Sequence, residues 1–113
     1  MLSGVLNERR ATALTYDAAL DVIQVSVSSA HGVAATKRVA AAALLLDASG
    51  FLVGVDVGAE GPSRIVVMLG PHEAVASVQP ARVEILEASG DLLEVHVTNA
   101  KASCRANEAN PYA

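Results

Sequence analysis

The chain has little of what many functional sites are built from. It holds one cysteine, Cys104, no tryptophan, one phenylalanine and two tyrosines. A lone thiol closes no internal disulfide and builds no thiolate cage for a metal, which fits a reducing cytoplasm. At 3% aromatic content there is no platform on which single-stranded bases would stack. Charged residues are scarce at 18%, and acids outnumber bases to give a net charge of −4. A phosphate backbone repels such a surface, so no nucleic-acid partner is expected. The longest apolar run, Val39 to Leu46, has eight residues. A spanning helix needs about 20, so no membrane partner is expected either. "MLSGVLNERRATAL" places its arginines after its short apolar stretch, the reverse of a secretory signal. These absences point to a soluble, cytoplasmic protein without a cofactor.

What is present is aliphatic. Hydrophobic residues make up 52% of 113 positions, against about 45–50% in ordinary domains. One domain of this length buries a core unaided. The aliphatic excess leaves apolar surface to hide against a second copy or a protein partner.

The most informative pattern is a repeat. "LLDASGFLVGVDV" (45–57) and "ILEASGDLLEVHV" (85–97) align without a gap, forty positions apart. "DAALDVIQVSV" (17–27) is a fainter third copy. Each ends in alternating aliphatics, the period-two signature of a strand with one apolar face. In the second copy Val53, Val55 and Val57 are expected on one face and Leu52, Gly54 and Asp56 on the other. Between the strands lie Asp47-Ala-Ser49-Gly50 and Glu87-Ala-Ser89-Gly90. An Asp opening a turn accepts backbone hydrogen bonds, and a Gly closing it takes positive φ cheaply. Asp47, Ser49, Gly50, Glu87, Ser89 and Gly90 are therefore expected as turn formers, Glu87 capping less well than Asp47. Ala19-Leu20 in the first copy implies a longer or different turn. Duplication and convergence on a good hairpin both explain the pattern.

Incoming strands are expected at "TALTY", "VAAAALLL" and "ARVEIL", and a further buried strand at "SRIVVML" (63–69). Pro71 suits the first position of a short helix with Glu73 in its first turn. Residues 28–37 read as a loop. The expectation is an all-β domain, or mainly β with one short helix. About seven strands form an antiparallel meander, as a small sandwich or half-barrel, over residues 1–98. Residues 99–113 lack apolar periodicity and read as a flexible C-terminal tail. Within it "ANPYA", like "NERR" near the start, is a candidate recognition peptide.

The first half resembles a small bacterial family catalogued as domain of unknown function 2283. The resemblance rests on "TYDAALDVIQVSV" and "LLLDASGFLVGVDV", at Tyr16, Asp17, Asp21, Asp47, Gly50, Gly54 and Asp56. Val22 stands for the usual Leu and Asp56 for the usual Glu. It covers residues 13–58 and implies a β fold, with no activity to carry over.

The acids recur at matching positions, but turn capping and solvated strand faces explain them without a metal. His31, His72 and His96 lack the spacing of a metal pair. Glu94 and His96 share a strand face and are expected to pair. His96, Glu94 and Asp56 are the candidate functional groups. Lys101 and Arg105 near Cys104 are expected to lower its pKa. No nucleophile elbow or phosphate-binding loop is present. The expected function is a non-catalytic β domain that mediates protein–protein interaction or homo-oligomerisation in a regulatory or scaffolding role. The alternatives are a small apolar-ligand binder and a metal-dependent hydrolase using the repeated acids.

Overall fold

The computed structural model describes residues 7–27, 35–58, 64–88, 91–106 and 110–112. The loop 28–34 with His31, and the turn residues Ser89 and Gly90, lie outside the described residues. Among the described residues eight strands form one sheet: β1 (Asn7–Arg10), β2 (Ala13–Asp17), β3 (Val22–Ser26), β4 (Thr36–Leu46), β5 (Leu52–Val57), β6 (Ile65–Met68), β7 (Ser77–Ala88) and β8 (Asp91–Thr98). Their order is β1-β6-β5-β4-β7-β8-β3-β2. The fold is all-β, a half-barrel that is antiparallel except where β1 runs parallel to β6.

The two edge strands are consecutive in the chain. Ala11 donates its N–H to the Met68 carbonyl and Thr12 donates to the Ser26 carbonyl, at 2.9 and 2.8 Å. One kinked segment thus pairs with β6 on one side and β3 on the other. It satisfies backbone groups that a rolled sheet would otherwise leave open at both edges. "NERR" forms β1 for this reason, although its sequence has no alternation.

The three sequence copies give three different connections. Asp17 pairs with Val22, Leu46 with Leu52, and Ala88 with Asp91. The middle turn matches expectation. Gly50 has φ of 90°, and Asp47 Oδ1 accepts from the N–H of Ser49 and of Phe51, both at 2.9 Å. In the first turn Asp17 Oδ1 accepts from Ala19 and Leu20, and Asp21 takes positive φ where glycine is absent. Glu87 departs from the expected capping role. It lies inside β7 opposite Leu92, and its carboxylate accepts from Arg38 Nε at 2.8 Å. Its extra methylene reaches a cation on the neighbouring strand rather than the backbone of its own turn.

The two strong copies also share a bulge. Leu45 faces Gly54 and Leu46 faces Leu52, so Val53 is the extra residue. Leu86 faces Glu94 and Glu87 faces Leu92, so Leu93 is the extra residue. Val53 and Leu93 are forty positions apart. A bulge puts two residues opposite one and shifts the alternation. Leu52, Val55 and Val57 therefore point into the main core while Val53 points outward, and Leu92, Val95 and Val97 repeat the inward set. This corrects the expectation that Val53 shares a face with Val55 and Val57 and that Leu52 lies opposite them.

The long strands β4 and β7 lie side by side, with Ala41 opposite Arg82 and Ala42 opposite Ala81. A forty-residue shift takes Ala41 to Ala81 and Ala42 to Arg82. It therefore exchanges the two central pairs of the ladder. A pseudo-twofold axis passes between them and relates β5 to β8, and β6 to β3.

The main core is aliphatic, with Val25, Leu44, Leu52, Val55, Val67, Val95 and Val97 fully buried. Each contributes roughly 1.5–3 kcal/mol through burial. Pro71 precedes a single 3-10 turn, His72–Ala74, and β7 has already begun by Ser77. Residues 99–113 were expected beyond the domain, yet their described parts lie against the sheet. Helix α1 (Ala100–Ser103) buries Ala100 in the main core, and Ala106 joins it there. Among the described residues no helix is long and apolar enough to cross a membrane.

Candidate functional site

The pseudo-twofold sets two outer faces against each other. On β5–β6 the outward residues are Val53, Gly54, Asp56, Val66 and Met68. On β8–β3 the equivalents are Leu93, Glu94, His96, Gln24 and Ser26.

The β5–β6 face is apolar and covered. Val53, Val66 and Met68 form a second small core under Leu45, Ala74, Val75 and Tyr112. All six residues of β5 are buried. The one carboxylate there, Asp56, is 7% exposed. It holds Arg64 in a two-pronged pair, Nε to Oδ1 at 3.0 Å and Nη2 to Oδ2 at 2.7 Å. The pair raises the arginine's already high pKa further and compensates a buried charge that would be costly alone.

The C-terminal segment completes the cover. Asn110 Nδ2 donates to the Leu52 carbonyl at 2.8 Å, and Asn110 Oδ1 accepts from the Tyr112 N–H at 2.7 Å. The Tyr112 phenol donates to Asp47 Oδ2 at 2.8 Å. Burial works against the Asp47 carboxylate. The Phe51 N–H, the Tyr112 phenol and the N–H groups of Ser49 and Gly50 outweigh it and hold Asp47 below its usual range. The Tyr112 phenol is pushed up by donating to that carboxylate. Arg105 adds a contact on the same turn, its guanidinium 5.1 Å from the centre of the Phe51 ring.

On the β8–β3 face Leu93 is buried, and the other outward residues are polar and partly exposed. His96 Nε2 lies 2.8 Å from Glu94 Oε1, the pairing expected from their shared face. Gln24 and Glu84 flank His96 across the ladders, and Lys37 lies 3.5 Å from Glu84. His96, Gln24, Glu84 and Lys37 line an open depression of about 290 Å³ together with Thr15, Asp17, Leu20 and Val22.

The remaining candidates are dispersed. Asp21 accepts from the Tyr16 phenol at 2.7 Å and from the Lys101 N–H at 3.1 Å. That hydrogen bond, burial and the neighbouring charge push the phenol of Tyr16 up to about 12. Asp17, Asp47, Asp56 and Glu87 each have separate partners. Among the described residues no three His, Cys, Asp or Glu side chains meet as metal ligands. His72 pairs with Glu8 at 2.7 Å, far from His96 in the ladder. Cys104 reverses its expected shift. Burial and the Asp21 charge raise its pKa to about 11, and its S–H points to the Ala100 carbonyl at 3.5 Å.

Sequence reasoning missed Arg64, and it placed Asn110 and Tyr112 in a candidate recognition peptide without the sheet face they cover. Arg64 stands eight positions from its carboxylate. Tyr112 sits in a polar stretch whose only signal is that β5 is apolar on both faces and so needs a cover. No family model, no curated protein and no solved structure matches the chain.

Proposed function

We propose that the chain is a non-catalytic β domain that associates through its sheet, with a second copy of itself as the first partner. It serves a regulatory or scaffolding role in the cytoplasm. The observation that carries the reading is the overhang of the two long strands. β4 pairs with β7 throughout, but with β5 only over Ala42–Leu46. β7 pairs with β8 only over Val83–Ala88. Among the described residues, Thr36–Ala40 and Ser77–Arg82 thus keep one side without a strand. These overhangs carry two of the three large exposed aliphatics, Val39 at 56% and Val78 at 58%. An unpaired edge with apolar side chains recruits another strand. Pro80 lacks an N–H and interrupts addition along β7, so the β4 overhang is the better edge. The motif resemblance to the domain of unknown function 2283 family covers this part of the sheet and agrees with a β module. An apolar-ligand role finds less support, because the 290 Å³ depression is lined largely by polar side chains.

Multi-angle light scattering across a concentration series tests the reading. Association is expected to rise with concentration and to weaken at least fivefold in Val39→Lys. A protein that stays monomeric at millimolar concentration, or associates equally well as Val39→Lys, would overturn it.

A further inference from the structure

We infer that the outer face of β5–β6 is a peptide-binding groove, and that its ligand is the chain's own Asn110-Pro111-Tyr112 segment, which a second copy can supply in place of the first. The inference rests on the self-association reading and gives it a second, specific route.

The groove is shaped for this occupant. Its floor is Val53, Val66 and Met68, an apolar patch that only a cover keeps from water. Its wall is Gly70. A Cβ built there would lie 2.5 Å from Tyr112 Cδ1 and 2.9 Å from Cγ, so the ring occupies the space a side chain would fill. Its polar ends are an acceptor at each side, the Leu52 carbonyl for the Asn110 amide and Asp47 Oδ2 for the phenol. Among the described residues no ladder ties the segment down. It is held by two side-chain anchors and one aromatic ring, the manner in which grooves read extended peptides. The segment also organises itself, since Asn110 Oδ1 accepts from the Tyr112 N–H.

Such contacts do not depend on chain continuity. The same segment from a second copy makes identical hydrogen bonds, and two copies exchanging segments close a symmetric dimer. The attached segment has the advantage of a local concentration on the order of millimolar. Exchange is therefore expected at high protein concentration, and a free peptide meets strong competition.

The probe is a fluorescein-labelled peptide of residues 105–113. The receptor is the full-length chain carrying Asn110→Ala and Tyr112→Ala, whose own segment no longer fills the groove. Saturable binding is expected, at least tenfold weaker to the wild-type chain. It is expected to be lost when the peptide carries the same two substitutions, or when Gly70→Val fills the ring's place. Absence of binding at millimolar peptide, to a variant that keeps the wild-type circular dichroism, would overturn the inference. If the double variant does not fold, the wild-type chain decides. Several millimolar peptide must shift the amide resonances of Gly70 and Phe51, and unshifted resonances overturn it. Light scattering separates the two readings. A dimer that persists undiminished in Tyr112→Ala leaves sheet association standing and removes segment exchange.

Discussion

The two halves of the sheet start from one hairpin and finish with opposite surfaces. β4–β5 and β7–β8 share the same bulge, at Val53 and Leu93, and send the same inward triad to the core. Outside, the substitutions are systematic. Gly54 corresponds to Glu94, Asp56 to His96, Met68 to Ser26 and Val66 to Gln24. The inner face tolerates little variation, because each change there opens a cavity or forces a clash. The outer face is free to be apolar and capped or polar and wet. The apolar version lies under Tyr112, Ala74 and Val75, whereas on the polar version Glu94 and His96 keep part of their side chains in water. One scaffold thus carries a closed side and an open side, and the difference resides in about four positions.

Exchanging the character of one equivalent pair should break the symmetry most. A Cβ at Gly54 would meet the Val67 carbonyl oxygen at 2.7 Å and Met68 Sδ at 2.8 Å. The backbone atom cannot swing away, so Gly54→Ala is expected to cost about 1–3 kcal/mol through overpacking. Glu94 is half-buried and pairs with His96, so Glu94→Ala should cost under about 1 kcal/mol. Thermal unfolding should show a Tm drop of roughly 5–12 °C for the first and little for the second. Equal drops would mean that the two faces are not distinguished by close packing.

The cover supplies the next largest effect. Tyr112→Ala should expose Val53, Val66 and Met68 and raise binding of a hydrophobic dye several-fold, while His96→Ala on the open face should leave dye binding unchanged. Acid should act on the same contact. The Asp47 carboxylate is held below its usual range. Its contribution to stability is therefore present above the ordinary carboxylate value and is lost as pH falls through the depressed one. Asp47→Asn should flatten that acid limb in a pH series of Tm values. An unchanged limb would assign it to other carboxylates.

How much of this was readable from the residues differs between the halves in the same way. The turn at Asp47–Gly50 was legible because its chemistry is local: a short acceptor at one end and a positive φ at the other. The pairing of Glu94 with His96 was legible because two residues apart on a strand means one face. The bulge was not, since it is a relation between a strand and its partner. Glu87 misled because its position in the repeat matched Asp47 while its length allowed Arg38 to claim it. "NERR" carries no strand pattern; its pairing is dictated by two sheet edges that meet there. Tyr112 stood in a candidate recognition peptide, but its place on the sheet was not legible, because a single aromatic in a polar stretch has no periodicity. Its place follows only from β5 being buried on both faces, a fact of packing rather than of spacing.

The smallest expected effect compares the two tyrosines, one on each half. Tyr16 donates to Asp21 at 2.7 Å and Tyr112 to Asp47 at 2.8 Å. A phenol that donates to a carboxylate resists losing its proton, because the phenolate would face that negative charge. Tyr16 is accordingly raised to about 12, and Tyr112 is raised as well. For an acid whose folded pKa lies above its unfolded value near 10, the protonated form is preferred in the folded state. Its contribution is complete below pH 10 and disappears as pH climbs toward 12. At neutral pH the effect is therefore invisible, and it emerges only in an alkaline titration. Phenolate absorbance should rise later than for free tyrosine. Asp21→Asn should bring the Tyr16 step back toward 10 while leaving that of Tyr112 in place, and Asp47→Asn should do the reverse. If either substitution moved both steps, the two halves would be coupled through the sheet, and the division into an open and a closed side would be a matter of surface only.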